Sequence, residues 1–220
     1  MPIAFPPLEL QASTSALQQL TKDIRGWRVE RIGMNVSNIW LRTVDGATWL
    51  LGVHQRDLLP LFEVFTLSLL SMTELQERWE NWTPPSLTKG VPEPLRKLMT
   101  TRPPAPVTPT DFEPWPLRTW RTEVVRRAEF IVEGAEVRST IGNNPNSQAA
   151  TRPGAVPTGA SAFCEVAAGI LFTGEDRSLL LAVDWLPMNM LVLQDGAEIH
   201  AFNTDCELVG MDEYVRSRAT

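Results

Sequence analysis

Few side chains in this 220-residue sequence are of types that could perform acid–base or nucleophilic chemistry. The chain has two histidines, His54 and His200. A serine or cysteine nucleophile needs such a base within hydrogen-bond reach. His54 stands in a polar stretch after an apolar run, and His200 stands in a short helical segment that we expect to face water. Both therefore read as ordinary surface residues.

The two cysteines are also poor candidates for catalysis. Cys164 lies in the apolar segment 162–172, where a free cysteine behaves as a small buried hydrophobe. Cys206 has Asp205 and Glu207 as neighbours, and these carboxylates would raise the pKa of its thiol, which disfavours a nucleophile. The sequence shows no zinc-ligand spacing and no glycine-rich phosphate loop. We therefore predict no catalytic, cofactor-binding or metal-binding residues.

One carboxylate keeps an enzymatic alternative open. Asp184 ends the apolar run LLLAVDW and precedes Trp185. An acid at a strand end beside an aromatic ring can form an active site. Such an acid can equally accept backbone N–H bonds and hold the turn into the next strand. The alternative function is accordingly a hydrolase or transferase with a site near Asp184.

The distribution of charge favours a different function. The net charge is −6, but residues 161–220 carry ten acids and three arginines. An acidic surface suits a basic protein partner and disfavours nucleic acid, for which Arg118, Arg121, Arg126 and Arg127 are the main support. It can also simply keep the protein soluble. We favour a non-enzymatic protein-binding module, and by analogy of size and charge an immunity- or inhibitor-type protein. The expected partner-binding residues are Asp184, Trp185, Glu198, Asp205 and Glu207.

The expected location is the cytoplasm, with no membrane partner. No apolar run approaches the roughly 18 residues that a spanning helix needs. The N-terminus has no basic residue before its apolar part and no small-residue cleavage site, so it does not resemble a secretory signal. Two cysteines in a reducing compartment are expected to stay free thiols.

The N-terminal part of the chain predicts a helix, a hairpin and a second helix. Apolar spacing indicates helices over 13–25 and 57–81. Between them, the β-prone runs 39–44 and 47–53 flank Asp45-Gly46, which is typical of a two-residue type I′ turn. That turn would place Arg42 opposite Trp49, within reach of a cation–π contact.

The middle of the chain, residues 84–116, holds ten of the 18 prolines. Such a segment is extended, either as a linker or as a wrap across the surface. Its apolar residues, among them Phe112 and Trp115, favour the wrap because a free linker does not need such anchors.

The C-terminal part predicts an antiparallel meander. Residues 117–133 alternate as a long strand with a wet face that includes Glu123 and Arg127. After a loop, strands follow over 162–173, 178–185 and 188–193, then a helix capped by Asp195 and a last helical turn near the C-terminus. The fold class is therefore α+β, with antiparallel sheets, a few packed helices and a proline-rich wrapped segment. The domain boundaries are 1–83, 84–116 and 117–220, or one continuous domain.

Overall fold

The computed structural model describes residues 3–4, 6–13, 16, 28–34, 38–59, 62–84, 93, 96, 100–133, 161–183 and 189–218. These residues form two sheets dominated by antiparallel pairing, with helices packed on them. The fold is α+β and mostly sheet, which confirms the predicted class at that level. The predicted helix over 13–25 lies almost entirely outside the described residues.

The first sheet, sheet I, is a meander built from the N-terminal part of the chain. Its strand order is β2-β6-β5-β4-β3-β7. The middle four strands are antiparallel to their neighbours, whereas β2 is parallel to β6. The strands are β2 (Gln11–Ala12), β3 (Val29–Met34), β4 (Asn38–Thr43), β5 (Thr48–Leu59), β6 (Phe62–Ser71) and β7 (Glu113–Pro114).

The predicted helix over 57–81 is wrong for most of its length. Strand β5 continues to Leu59, strand β6 follows over 62–71, and helix α1 (Met72–Glu80) occupies only the last part. Both faces of β6 are buried, since Val64 and Leu70 are covered as well as Leu67 and Leu69. A strand buried on both faces has an unbroken apolar sequence, and periodicity cannot distinguish such a run from a helix.

The predicted hairpin exists, but its register is shifted by one residue. Arg42 pairs with Thr48, and Leu41 pairs with Trp49. The backbone N–H of Thr43 donates to the carbonyl of Ala47 (2.9 Å), so the loop has three residues. Within that loop Gly46 has a positive φ, of 85°. A type I′ turn needs two such residues, whereas a three-residue loop needs one.

The second sheet, sheet II, contains the predicted C-terminal meander. Its strand order is β11-β10-β9-β8-β12, and β1 adds to β9 off this path. The connection from β11 to β12 crosses the sheet and carries helix α2 (Gly196–Asn203). The strands are β1 (Ile3–Ala4), β8 (Thr119–Glu133), β9 (Ser161–Gly174), β10 (Ser178–Val183), β11 (Met190–Leu193) and β12 (Cys206–Gly210).

An N-terminal strap runs along both sheets. Strand β1 pairs in parallel with β9, and Leu8 continues this pairing by bonding the backbone on both sides of Val166. Strand β2 then pairs with β6 of sheet I. The strap therefore connects the two sheets by backbone hydrogen bonds.

The largest apolar cluster draws residues from both sheets. Leu41, Leu51 and Leu69 of sheet I belong to the same buried cluster as Ile170 and Phe172 of sheet II. A direct hydrogen bond joins the layers as well, because the buried hydroxyl of Thr66 donates to the carbonyl of Ala167 (3.0 Å). The two sheets thus share one core.

Two C-terminal helices lie beside sheet II. Helix α2 (Gly196–Asn203) is capped by Asp195, whose carboxylate accepts from the backbone N–H groups of Ala197 and Glu198. Helix α3 (Met211–Arg218) follows β12 directly and buries Tyr214. Both positions agree with the helices predicted there. No helix among the described residues is long and apolar enough to cross a membrane.

The described residues of the proline-rich segment contact the rest of the protein. The indole N–H of Trp79 donates to the carbonyl of Pro103 (2.8 Å), and the guanidinium of Arg102 stacks 3.7 Å from the Trp79 ring. Strand β7 pairs with β3. Arg42 lies 4.4 Å above the ring of Phe112, which is the cation–π contact that the predicted register had assigned to Trp49.

Candidate functional site

Three of the five predicted partner-binding residues lie in the described part of the chain. Glu198 is exposed in the first turn of α2, Asp205 is exposed between α2 and β12, and Glu207 is exposed on β12. Asp184 and Trp185 lie outside the described residues, so their assignment stays a prediction. The three described carboxylates occur within ten consecutive residues on one connected unit, α2 followed by β12.

Further exposed acids lie in the segments that precede and follow β12 in sequence, and we name the whole set the acidic face. It comprises the exposed carboxylates of residues 195–213, namely Asp195, Glu198, Asp205, Glu207, Asp212 and Glu213. Two arginines, Arg216 and Arg218, follow in the last turn of α3. Acids therefore dominate the exposed charge around β12.

Strand β12 is an end strand of sheet II. It pairs with β8 from Cys206 opposite Arg127 to Gly210 opposite Glu123. Within the described ranges, no strand pairs with its other side, which we call the β12 edge. Half of the backbone N–H and C=O groups of an end strand point away from its partner and stay available for hydrogen bonding. This strand was not predicted, since five residues with one acid and a glycine carry a weak β signal.

An apolar side chain lies among these acids. Leu208 is 41% exposed, one of the few large apolar side chains that the described residues leave open to solvent. Leu208 pairs with Val125, and directly paired residues project to the same side of a sheet. Val125 and the next alternate residue, Cys206, contribute to the apolar cluster beneath α2 together with Ile199. Leu208 therefore lies on the α2 side of the sheet.

The solvent-exposed face predicted for strand β8 is present at Arg121 but is wrong at Glu123 and Arg127. Glu123 is 6% exposed and Arg127 is 7% exposed. Helix α2 packs on this side of the sheet, and the Arg127 guanidinium lies 5.3 Å from the ring of Phe202. Glu123 forms an ion pair with Arg121 at 2.7 Å. The alternating pattern identified the strand correctly, but a helix from a distant part of the chain lies against Arg127 on its polar side.

The arginines of β8 are largely engaged within the chain. Arg126 pairs with Glu9 of the strap at 3.1 Å and lies 3.8 Å from the carboxylate of Glu207. Arg121 is paired with Glu123, and Arg127 is buried. Glu207 is nevertheless 63% exposed, so it can exchange this long contact for a cation on a partner.

A cleft opens between α2 and the β9–β10 turn, on the same side of the sheet as Leu208. Its volume is about 630 Å³, and its lining includes Asp176, Ser178, His200, Asn203 and Leu208. His200 is exposed, as predicted. Ser178 and His200 share no hydrogen bond within the part of the chain that the structure describes. The cleft therefore holds polar groups beside the β12 edge without an assembled nucleophile–base pair.

The cysteines lie apart from any charged catalytic group. Cys164 is buried, as predicted, and its thiol donates to the carbonyl of Pro6 (3.3 Å). Burial raises the pKa of the Cys206 thiol; Arg127 opposes this shift, and Asp205 adds to it. Burial is thus the main cause of the raised pKa, whereas the sequence had suggested that the neighbouring carboxylates would raise it.

Metal ligands and known relatives give no further guidance. No group of three or more metal-ligating side chains occurs among the residues that could be described. Comparisons of the chain with protein-family models, with curated proteins and with solved structures found no match.

Proposed function

We propose that this chain is a non-enzymatic protein-binding module that receives a basic, extended segment of its partner at the β12 edge. One observation carries the proposal. Strand β12 ends its sheet with no partner on its outer side among the described residues, and it carries exposed Glu207 and Leu208 next to Asp205.

Backbone pairing would supply much of the affinity. An extended peptide that adds to an end strand gains main-chain hydrogen bonds, and its alternate side chains reach surfaces on either side of the sheet. At the β12 edge one set of side chains would lie near Leu208 and the cleft beside α2. The other set would lie on the side of Glu207. Binding there requires no change in the order of the existing strands.

Charge would supply the selectivity. Six exposed carboxylates form the acidic face, and such a field raises the rate of encounter with a basic partner and repels an acidic one. The opposite end strand of this sheet, β11, has the sequence MLVL and carries no charge. The acidic face therefore favours the β12 edge over the β11 edge for a basic segment.

An immunity- or inhibitor-type role is the specific form of this proposal. A small acidic module that covers a basic surface of its partner can neutralise the activity which depends on that surface. Both cysteines are free thiols, and this supports a cytoplasmic location for the complex. An inhibitor must abolish its partner's activity at equal molar ratio, so titration of the purified partner tests this form of the proposal.

Affinity capture with charge-reversed variants tests the binding surface. Asp205→Lys/Glu207→Lys reverses two carboxylates at the β12 edge. Glu77→Lys/Glu80→Lys is the matched control, because it changes the net charge equally at two exposed positions of helix α1, outside the acidic face and the cleft. Each tagged protein is incubated with lysate of the source cells, and the proteins that co-elute are identified and quantified.

The expected result is one basic protein at equal stoichiometry, recovered by the wild type and by the control and lost with Asp205→Lys/Glu207→Lys. Capture should also weaken as salt is raised, because exposed charges are screened over about 8 Å at physiological ionic strength. Equal recovery by both variants, or no stoichiometric partner for the wild type, would contradict the proposal.

A further inference from the structure

A small cavity lies where the two sheets meet. Its residues are far in sequence from those of the acidic face. Its volume is about 160 Å³. Sheet I contributes the start of β3 and the β4–β5 loop, and the residues leading into β8 of sheet II complete it. The lining consists of two arginines, three apolar residues and one threonine: Arg28, Arg118, Val29, Val44, Leu117 and Thr119.

The two arginines set this cavity apart. Arg28 and Arg118 are both exposed, and neither guanidinium makes a hydrogen bond or an ion pair with any residue that the structure describes. Elsewhere Arg121 and Arg126 pair with carboxylates. Two unpaired cations on one small cavity repel each other unless an anion lies between them.

No carboxylate lines the cavity within the described ranges. The nearest acid in sequence to Val44 is Asp45, and its carboxylate already accepts hydrogen bonds from the Thr43 hydroxyl and the Ala47 N–H inside the hairpin loop. The Asp45 carboxylate is therefore engaged within its own loop and forms no ion pair with either guanidinium group. This positive site belongs to a chain whose net charge is −6.

The threonine of the cavity is oriented as a donor. The hydroxyl oxygen of Thr119 accepts a hydrogen bond from the indole N–H of Trp115 (3.1 Å). Because its oxygen is used as an acceptor there, its own O–H remains available to donate. Two guanidinium groups and one hydroxyl then offer donors, while Val29, Val44 and Leu117 offer apolar walls.

We infer that this cavity binds a doubly charged oxyanion of the phosphate type. Guanidinium groups match the oxygens of phosphate with paired N–H donors. Two such groups favour a dianion over a single carboxylate, because each can neutralise one negative charge. The site is independent of the β12 edge, and its occupation does not require a protein partner.

The experiment is a calorimetric titration with inorganic phosphate, at constant ionic strength adjusted with sodium chloride. The proteins are the wild type, Arg28→Gln, Arg118→Gln and the double variant. Arg177→Gln is the matched control, since Arg177 is an exposed arginine that lines the other cleft. Acetate replaces phosphate in a second series, and phenyl phosphate in a third.

The wild type and Arg177→Gln should bind phosphate equally, and acetate more weakly. Each single substitution should weaken phosphate binding by about tenfold, and the double variant should show no measurable binding. Tighter binding of phenyl phosphate than of inorganic phosphate would identify a phosphate ester as the ligand class; equal binding would identify the free anion. Either result supports the proposed anion-binding site.

The stability of the variants separates binding from folding. Neither guanidinium makes a hydrogen bond or an ion pair with a described residue, so the unfolding free energy of the double variant without phosphate should stay close to that of the wild type. Absence of phosphate binding by the wild type, or unchanged binding by a folded double variant, would overturn the inference. Acetate binding as tightly as phosphate would overturn the assignment to a dianion.

Discussion

The phenolic oxygen of Tyr214 accepts a hydrogen bond from the backbone N–H of Leu10 at 2.6 Å, across 204 residues of sequence. Both residues are fully buried. The guanidinium of Arg218 donates to the carbonyl of the same Leu10 at 2.7 Å. Helix α3 therefore satisfies both backbone groups of Leu10, and the C-terminus holds the strap that connects the two sheets.

Tyr214→Phe should destabilise the protein by about 1–3 kcal/mol. The substitution keeps the ring but leaves the buried N–H of Leu10 without its acceptor, and an unsatisfied buried donor carries that cost. Chemical denaturation monitored by tryptophan fluorescence measures the change. Thr204→Val is the control, because the Thr204 hydroxyl donates to the His200 carbonyl at an exposed position and its loss should cost under about 0.5 kcal/mol. Equal effects of the two substitutions would contradict the role given to Tyr214.

Tyr214 should also make stability fall at alkaline pH. Burial raises the pKa of Tyr214 above its ordinary value of 10.0, and the hydrogen bond to Glu9 and the charge of Glu9 raise it further. Above the ordinary value the unfolded chain releases the phenolic proton while the folded chain retains it. The stabilisation is thus complete below pH 10.0 and is lost as pH rises towards the folded pKa, by about 1.4 kcal/mol per pH unit.

The chain has a single tyrosine, so ultraviolet absorbance of tyrosinate reports on this group alone. We expect tyrosinate to form only together with unfolding, as followed by circular dichroism in the same titration. The Tyr214→Phe variant should lose less stability than the wild type over the same pH range. A tyrosinate signal near pH 10.0 in the folded protein would show that the phenol is not buried.

Gly46→Ala should destabilise the hairpin loop by about 1–2 kcal/mol. Gly46 has φ of 85°, a conformation in which a side chain is strained, and no atom lies within 4 Å of an added Cβ. The loss of stability therefore comes from backbone strain and not from a steric clash. Gly196→Ala in the first turn of α2 is the control: it has open space and no positive φ, so alanine should be neutral or slightly stabilising. Thermal unfolding of both variants checks the difference.

The hairpin shows how far local sequence can predict register. The runs around Asp45-Gly46 predicted two paired strands correctly, because β-branched and aromatic residues flank a turn signal. The register depended on whether Asp45 adopts a positive φ. Its carboxylate instead accepts from Thr43 and Ala47, which favours a three-residue loop. A shift of one residue then moved Trp49 into the core beside Leu41.

Contacts between distant parts of the chain explain the remaining differences between the predicted and the observed structure. The run that forms β6 has helical spacing, but side chains on both faces of this strand are buried, among them Leu67 and Leu70. Phe202 of helix α2 lies against Arg127 because the chain crosses the sheet between β11 and β12. Local patterns carry no information on such crossings.

The candidate site was predictable only in part. Charge alone identified Glu198, Asp205 and Glu207 as exposed, and they are exposed. That β12 ends its sheet and exposes Leu208 follows from strand order, which the sequence does not reveal. The unpaired arginines at 28 and 118 come together for the same reason, since 90 residues separate them in sequence.

Leu208→Ser should weaken partner binding in a protein that still folds. Leu208 is 41% exposed, so only part of its area is buried within the protein and lost on replacement. A partner strand that covers it would lose apolar contact worth about 1 kcal/mol or more, or at least fivefold in affinity. Val44→Ser is the control. Val44 is also an exposed apolar residue, but it belongs to the β4–β5 loop of sheet I and not to the β12 edge. Equal affinity of both variants and the wild type for the captured partner would contradict the proposed contact.

Hydrogen exchange of the β12 amides, with and without the captured partner, tests the proposed binding mode most directly. If a basic segment adds to the β12 edge, the amides within 206–210 that do not bond to β8 should become strongly protected in the complex. The buried amides of 179–182 should change little, because they are already paired with β9. Protection elsewhere on the protein, with exchange over 206–210 unchanged, would contradict the account.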